Sequence, residues 1–269
     1  MAASDSVLIA QLSDTHVVAG SADLDNDERL EMAVHALRRE SPAPTIVLLT
    51  GDLTDTATDE QYERLIEILD PLDVPLLALP GNHDVRNSVR RAFPDTPWID
   101  AEHASWVSVV SGIRIVGLDS TRPGSNDGEC DEERAAWLAG VLAAPHDGAT
   151  LIAMHHPPFA TGIDWMDADG FVGIDAFRDV VGAAGSVDRI VCGHLHRPAG
   201  ATVSGVGAQV GVSTAHHVAL DLETDSTPQI IDEPFGYQLH VVSGRDVVTH
   251  TRYVGTGAEP YVPDWVDLL

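Results

Sequence analysis

The sequence predicts an α/β fold that contains a mainly parallel β-sheet. A short apolar run is followed by a polar turn three times before residue 85. Segments with the spacing of amphipathic helices lie between these runs. Strands that alternate with helices are typical of parallel sheets. The chain has 269 residues, of which 44% are hydrophobic, so it can bury a sizeable core; no apolar run reaches the ~20 residues that span a membrane.

The first three strands each end in a polar turn. The predicted strands and the helices between them cover residues 7–12, 27–40, 45–49, 58–69 and 74–79. Thr58 and Gln61 form a capping-box pattern at the start of the second helix. The polar side chains in the three turns are Asp14, His16, Asp52, Asn82, His83 and Asp84.

The middle of the chain adds two more polar turns. The predicted elements are a hairpin over 106–118, a helix over 132–142, a strand over 150–154, a helix over 175–184 and a strand over 189–192. His155 and His156 follow the strand that ends at residue 154, and His194 and His196 follow the strand that ends at residue 192. Residues 160–174 are rich in Gly and Asp, and we interpret them as a flap over the site.

The last part of the chain predicts an antiparallel extension of short strands. These strands are expected at 201–204, 209–212, 218–222, 229–231, 237–242 and 247–253. We therefore divide the chain into a catalytic core over 1–200, strands over 201–254 and a surface tail over 255–269. The strands over 201–254 either complete a second sheet or form a dimerisation element.

The polar turns are expected to converge, because sites in such sheets form beyond the carboxyl ends of the strands. Taken singly, each residue has a simpler explanation: Asp14 could cap a turn, and His155 could be a buried core histidine. Their placement at one edge of the sheet argues against chance. Imidazoles and carboxylates gathered in one place are typical ligands of a pair of metal ions.

Charge and cysteine content exclude several classes of protein. The net charge is −27, and all 15 basic residues are arginines, so the surface repels nucleic acid and anionic membranes. The two cysteines fit a reducing compartment, and the first residues lack the pattern of a secretory signal. We therefore expect a cytoplasmic protein with no nucleic-acid polymer and no membrane among its partners.

The order of the motifs resembles that of a known family. Asp-x-His, Gly-Asp, Gly-Asn-His-Asp, His-His-Pro-Pro and Gly-His-x-His follow one another between residue 7 and about residue 200. This order resembles the calcineurin-like metallophosphoesterases, and among them the branch of class III cyclic-nucleotide phosphodiesterases and glycerophosphodiesterases. The resemblance implies a four-layer αββα sandwich of two mixed β-sheets.

The resemblance also implies a dinuclear site. One metal would be held by Asp14, His16, Asp52 and His196. The other would be held by Asp52, Asn82, His155 and His194, with Asp52 between the two. The mixed nitrogen and oxygen ligands suit Fe, Mn, Zn or Co. His83 would bind no metal and would act on the leaving group, and His216 is a weaker candidate for contact with the substrate.

The function implied is metal-dependent hydrolysis of small phosphodiesters, either cyclic nucleotides or glycerophosphodiesters, by a hydroxide that bridges the metals. A phosphomonoesterase or a nucleotide pyrophosphatase is an alternative on the same metal site. A non-catalytic metal-binding interaction module is an alternative of a different class. The resemblance also suggests a homodimer or a higher homo-oligomer.

Overall fold

The computed structural model of this protein describes residues 6–20 and 25–257. The strands of this part of the chain are β1 (Val7–Leu12), β2 (Ile46–Thr50), β3 (Leu76–Leu79), β4 (Trp106–Val110), β5 (Ile113–Leu118), β6 (Gly128–Glu129), β7 (Thr150–Met154), β8 (Phe171–Val172), β9 (Arg189–Cys192), β10 (Ala199–Val203), β11 (Val206–Val210), β12 (His217–Val218), β13 (Ile230–Ile231), β14 (Gly236–Ser243) and β15 (Asp246–Tyr253). Its helices are α1 (Asn26–Leu37), α2 (Asp59–Leu69), α3 (Arg86–Ala92), α4 (Glu132–Ala143), α5 (Asp164–Asp167) and α6 (Ile174–Ala184).

Two mixed sheets form the centre of the fold. The first has the order β15-β14-β1-β2-β3, and the second has the order β10-β11-β9-β7-β5-β4. In the first sheet β1, β2 and β3 are parallel, whereas β14 runs antiparallel to β1. In the second sheet β5, β7, β9 and β11 are parallel. These two sheets confirm the predicted fold class.

Three buried cores separate four layers. One core joins the first sheet to α1, α2 and α3, and a second joins the other sheet to α4 and α6. The third lies between the sheets, where Ile9 and Leu48 pack with Ile115 and Leu151. Trp106 belongs to this inner core, and its indole N–H donates to the carbonyl of Ala78 over 2.7 Å. The arrangement is the αββα sandwich that the resemblance implies.

Most helices and strands begin and end close to the residues that the sequence predicts. The Thr58 hydroxyl accepts a hydrogen bond from the backbone N–H of Gln61 and caps α2, which is one half of the predicted capping box. The other half differs, because Gln61 Oε1 accepts from the N–H of Thr56 rather than from that of Thr58. The first helix ends at Leu37, before the predicted residue 40. The segment predicted as a strand over 218–222 is mostly irregular, because β12 ends at Val218 and Leu220 is exposed.

The strands beyond residue 200 divide between the two sheets. β10 and β11 extend the second sheet beside β9, whereas β14 and β15 extend the first sheet beside β1. The region 201–254 therefore contributes strands to both sheets, and not to the second sheet alone. Most of the predicted tail, residues 258–269, lies outside the described residues. In the described ranges, no helix has the length and apolar character needed to cross a bilayer.

Candidate metal centre

The polar turns of both sheets meet at one edge of the sandwich. They follow the carboxyl ends of five parallel strands, β1, β2, β3, β7 and β9. The side chains that they bring together are Asp14, His16, Asp52, Asn82, His83, His155, His194 and His196. The strand-end rule that predicted this convergence therefore applies across both sheets.

One group consists of Asp14, His16, Asp52 and His196. A ligand atom from each of these buried residues lies within 4.8 Å of the others. His16 Nε2 is 3.1 Å from His196 Nε2 and 3.5 Å from Asp52 Oδ2. Asp14 Oδ1 is 3.7 Å from His196 Nε2. The spacing allows all four side chains to contact a single cation.

A second group lies on the other side of Asp52. Asp52 Oδ2 is 3.3 Å from His155 Nε2. Asn82 Oδ1 is 3.0 Å from His155 Nε2 and 3.1 Å from His194 Nδ1. Asp52 therefore stands between both groups, which is the position that a ligand shared by two cations requires.

Hydrogen bonds at the outer ring nitrogens direct lone pairs into the site. His155 Nδ1 donates to the carbonyl of Thr50 over 2.8 Å, and His196 Nδ1 donates to the carbonyl of His216 over 2.9 Å. The Nε2 atom of each neutral ring then faces the centre without a proton. A neutral His155 ring therefore points the lone pair of Nε2 at Asn82 Oδ1, which is also an acceptor, so either a proton or a metal ion has to lie between these two atoms.

An unpaired oxygen gives the same indication. Asp14 Oδ2 is fully buried and accepts no hydrogen bond from any described residue. A buried carboxylate oxygen without a partner is costly unless a cation satisfies it. The donor set of imidazole, carboxylate and amide groups suits transition metals. The residues present therefore fit two metal ions.

The backbone of the site is strained. Five of its non-glycine residues have positive φ angles in the left-handed region: Asp14 (52°), His16 (40°), Asp52 (48°), His194 (72°) and His196 (60°). Such conformations cost on the order of 1–3 kcal/mol each and cluster at functional sites. Gly193 allows a close approach of two loops, because a Cβ there would lie 2.2 Å from Ser13 Oγ.

Comparison with known proteins identifies the family. The family model described as calcineurin-like phosphoesterase matches residues 7–198. This chain belongs to the calcineurin-like phosphoesterase family. The resemblance found in the motifs is thereby confirmed.

Relatives of this phosphoesterase cover nearly all of its length. A probable glycerophosphodiester phosphodiesterase of Arcobacter nitrofigilis is 34% identical over 262 residues, which are 95% of this chain and 96% of the relative. A probable cyclic nucleotide phosphodiesterase of Rhodopseudomonas palustris is 34% identical over 89% of each chain. The fold is shared with a dimetal phosphatase from Danio rerio at a TM-score of 0.69 and 17% identity, over 92% of this chain and 96% of the other.

Protons occupy the phosphoesterase site when metals are absent. Burial opposes the charged form of His16, but Asp52 and Asp55 outweigh it and raise the pKa of His16 to about 10. Burial likewise opposes protonation of His155, and Asp52 raises the pKa of His155 to about 9. Burial and the neighbouring His155 lower the pKa of His194 to about 3. Since ligating imidazoles must be neutral, metal binding has to displace the protons of His16 and His155.

His83 lies on the open side of the site. Its backbone N–H donates to Asp52 Oδ1 over 2.9 Å, and its ring Nδ1 donates to the carbonyl of Asp55 over 2.8 Å. The side chain is exposed, and its ring centre is 4.7 Å from that of His16. The Nδ1 hydrogen bond leaves Nε2 free to exchange a proton with a bound molecule.

His216 also reaches this region. Its ring centre lies 4.6 Å from that of His196 and 5.2 Å from that of His16. Burial, and secondarily the neighbouring His16, lower the pKa of His216 to about 4. The structure therefore brings the weakest of the sequence candidates to the site, and its contact with substrate stays a prediction.

Two acidic residues carry contacts that the sequence analysis did not assign. The Asp55 carboxylate lies 3.4 Å from His16 Nδ1, at the outer edge of the ring. Asp84 accepts hydrogen bonds from the N–H groups of Leu53 and Gly81 and so fastens two site loops together. The spacing Gly-Asp-x-x-Asp was the available signal for Asp55. The long-range partners of Asp84 left no local signal.

His156 is close to the site but is not free to bind a metal. Its Nδ1 pairs with the Ser120 hydroxyl over 2.9 Å, and its Nε2 pairs with the carbonyl of Asn126 over 3.1 Å. Both ring nitrogens are therefore occupied, although the ring packs 4.6 Å from that of His194. The residue fixes the wall of the site beside His194.

Proposed function

We propose that this phosphoesterase hydrolyses small phosphodiesters, with cyclic nucleotides or glycerophosphodiesters as its substrates. The observation that carries the proposal is Asp52 Oδ2, which lies 3.5 Å from His16 Nε2 and 3.3 Å from His155 Nε2. A shared carboxylate of this kind suits a dinuclear centre. The names of its relatives support the substrate class.

The proposed centre holds two ions of Fe, Mn, Zn or Co. The first would be bound by Asp14, His16, Asp52 and His196, and the second by Asp52, Asn82, His155 and His194. When bound, such a pair supplies a nucleophile from water at neutral pH and neutralises charge on the phosphoryl oxygens. The side chains contribute the coordination shell and its orientation, through the carbonyls of Thr50 and His216 behind the rings.

His83 is the proposed catalytic residue of the chain itself. The Asp55 carbonyl holds the Nδ1 hydrogen, so the proton available for the leaving oxygen is carried at Nε2. A general acid in this position contributes ~10²–10⁴ in rate. The ring is exposed to solvent, so a substrate that enters the site from solvent can contact it.

A phosphomonoesterase or pyrophosphatase is the weaker alternative. A dianionic monoester or a longer phosphate chain needs additional free cations around the metals. Arg86 is held by Asp119 at 2.6 Å, and Arg197 is held by Glu233 at 3.3 Å. With these guanidinium groups engaged, a singly charged diester is the better match. A purely binding module is also disfavoured, because all eight family positions retain their polar side chains.

The test is a turnover assay on chelator-stripped protein reloaded with each metal. Cyclic AMP, glycerophosphoethanolamine and p-nitrophenyl phosphate are compared at equal metal content. We expect turnover of at least one diester to exceed that of the monoester. Metal binding without any turnover would support the interaction module instead. Cytoplasmic location and the homodimer remain predictions, and light scattering checks the latter.

A further inference from the structure

A small pocket adjoins the candidate metal centre on the side of His194. It has a volume of about 170 Å³ and is lined by His194 and by residues between His156 and Ile174, a stretch that includes the flap predicted from sequence over residues 160–174. This volume is below the ~300–1,000 Å³ of pockets that enclose a whole small ligand. The pocket therefore has room for one substituent of a substrate.

We propose that this pocket receives the base of a cyclic nucleotide and selects ring-bearing phosphodiesters over glycerol esters. The inference rests on the proposed function and narrows its substrate class. His194 connects the two sites, because it lines the pocket while its Nδ1 lies 3.1 Å from Asn82 Oδ1. A substituent on a phosphate at the metal centre can enter the pocket past this ring.

The lining of the pocket favours a flat apolar group. Its apolar residues are Pro157, Phe159, Met166, Phe171 and Ile174. Aromatic side chains bind bases by stacking, because every base has a π-face. Ala160 and Gly170 belong to the same lining and are exposed, so a base can keep its polar edge toward water.

Most polar atoms of the lining side chains already have hydrogen-bond partners. Asp167 accepts hydrogen bonds from the N–H groups of Thr161 and Gly162 and from the Thr161 hydroxyl. Both ring nitrogens of His156 pair with Ser120 and Asn126. A glycerol group that entered this pocket would give up hydrogen bonds to water and find few replacement partners among these side chains.

Phe171 is held in place rather than loosely packed. It begins β8, which pairs with β6 through Gly128. A Cβ on Gly128 would lie 2.4 Å from Phe171 Cδ2 and 2.8 Å from His156 Cβ, so the ring fills the space that this glycine leaves. A preorganised ring loses little freedom when it stacks on a ligand.

The experiment compares kcat/KM for cyclic AMP and glycerophosphoethanolamine in metal-loaded wild type, Phe171→Ala and Phe235→Ala. For cyclic AMP, Phe171→Ala should lose roughly 10- to 100-fold, the effect of removing one base–aromatic stack. The glycerol ester should change by less than about threefold, which also reports the fraction of folded enzyme. Phe235 packs under Arg29, away from the pocket, and serves as the matched control.

A second variant, Gly128→Ala, displaces the ring without deleting it and should shift the substrate ratio in the same direction. Equal losses on both substrates in Phe171→Ala, or a wild-type preference for the glycerol ester, would overturn the pocket assignment while phosphodiester hydrolysis stands. A wild type that turns over neither diester with any metal would instead refute the proposed function.

Discussion

The fold contains two buried polar clusters, and they are built in opposite ways. The Gln11 network consists of Gln11, Thr50, His240 and Thr249. In it, the Gln11 amide donates to Thr50 Oγ1 and to the carbonyl of Cys192, both over 2.9 Å, and its oxygen pairs with His240 Nε2 at 3.1 Å. His240 Nδ1 pairs with the Thr249 hydroxyl at 2.9 Å. The described residues thus satisfy every polar atom of the Gln11 side chain.

The metal centre has the reverse properties. Asp14 Oδ2 has no hydrogen-bond partner among the described residues, and His155 Nε2 faces the acceptor Asn82 Oδ1 at 3.0 Å, where a proton or a metal ion is needed between them. Its backbone holds five residues at positive φ, whereas the Gln11 network lies on regular strands. A satisfied polar network stabilises the fold, and a strained, unsatisfied one stores free energy that a ligand releases. The contrast separates structural from functional polarity.

Asp52→Asn should produce the largest effect. Replacing the shared carboxylate should remove both metals and lower kcat/KM by roughly 10⁴-fold or more, because several kcal/mol of charge neutralisation leaves with them. Metal analysis and phosphodiester turnover measure the two effects. If the variant kept two equivalents of metal and wild-type turnover, the Asp52 cluster would not be the functional one, and the contrast with the Gln11 network would fail.

His83→Ala should lower kcat by ~10²–10⁴-fold with both metals retained. The loss follows from removal of the proton carried at Nε2, and the coordination shell is untouched because His83 contacts Asp52 through its backbone N–H. Metal content and kcat are measured on the same sample. Loss of metal from this variant would instead show that His83 helps to bind metal and would contradict the proposed catalytic role.

His240→Asn should change stability and leave turnover alone. Burial, and secondarily Arg189, lower the pKa of His240 from 6.5 to about 3. Above pH 6.5 the ring is neutral in both states; below it only the unfolded chain takes up a proton, so stability falls until about pH 3. When the pH falls from 7 to 5, the titration of this group should lower the free energy of unfolding by about 2 kcal/mol.

Urea unfolding at both pH values tests this expectation. The asparagine variant lacks the titrating ring, so its pH-dependent loss should be smaller by that amount. Identical pH profiles for the two proteins would show that His240 is not held neutral. Equal kcat at pH 7 is the control for an intact metal centre.

Tyr62→Phe should produce the smallest effect. The Tyr62 hydroxyl donates to Asp84 Oδ1 over 2.9 Å, at the fastening point between two site loops. Removing it should cost about 1–2 kcal/mol of unfolding free energy, since the acceptor is a carboxylate that keeps other donors. Thermal unfolding measures the loss. A fall in metal content would mean that the hydrogen bond between Tyr62 and Asp84 is also needed to hold the metal ligands in position.

The sequence was most informative where chemistry repeats at strand ends. Asp14, Asp52 and His155 each follow an apolar run, and parallel strands direct such residues to one edge. Partners distant in sequence could not be read in this way. The pattern of β14 predicts a strand, but nothing local indicates that it pairs with β1. The position of Phe171 likewise depends on the space left by Gly128.

The pairing of β1 with β14 has a consequence for biosynthesis. Val7 lies opposite Val242, so β1 waits for a partner that is made some 235 residues later. Ser213, whose hydroxyl donates to the carbonyl of Asp14, is also synthesised late. Contacts that span most of the chain form slowly, and a nascent chain exposes its unpaired strand edge meanwhile. We expect metal uptake to follow synthesis of β14 rather than to begin once His196, the last of the proposed ligands, has been made.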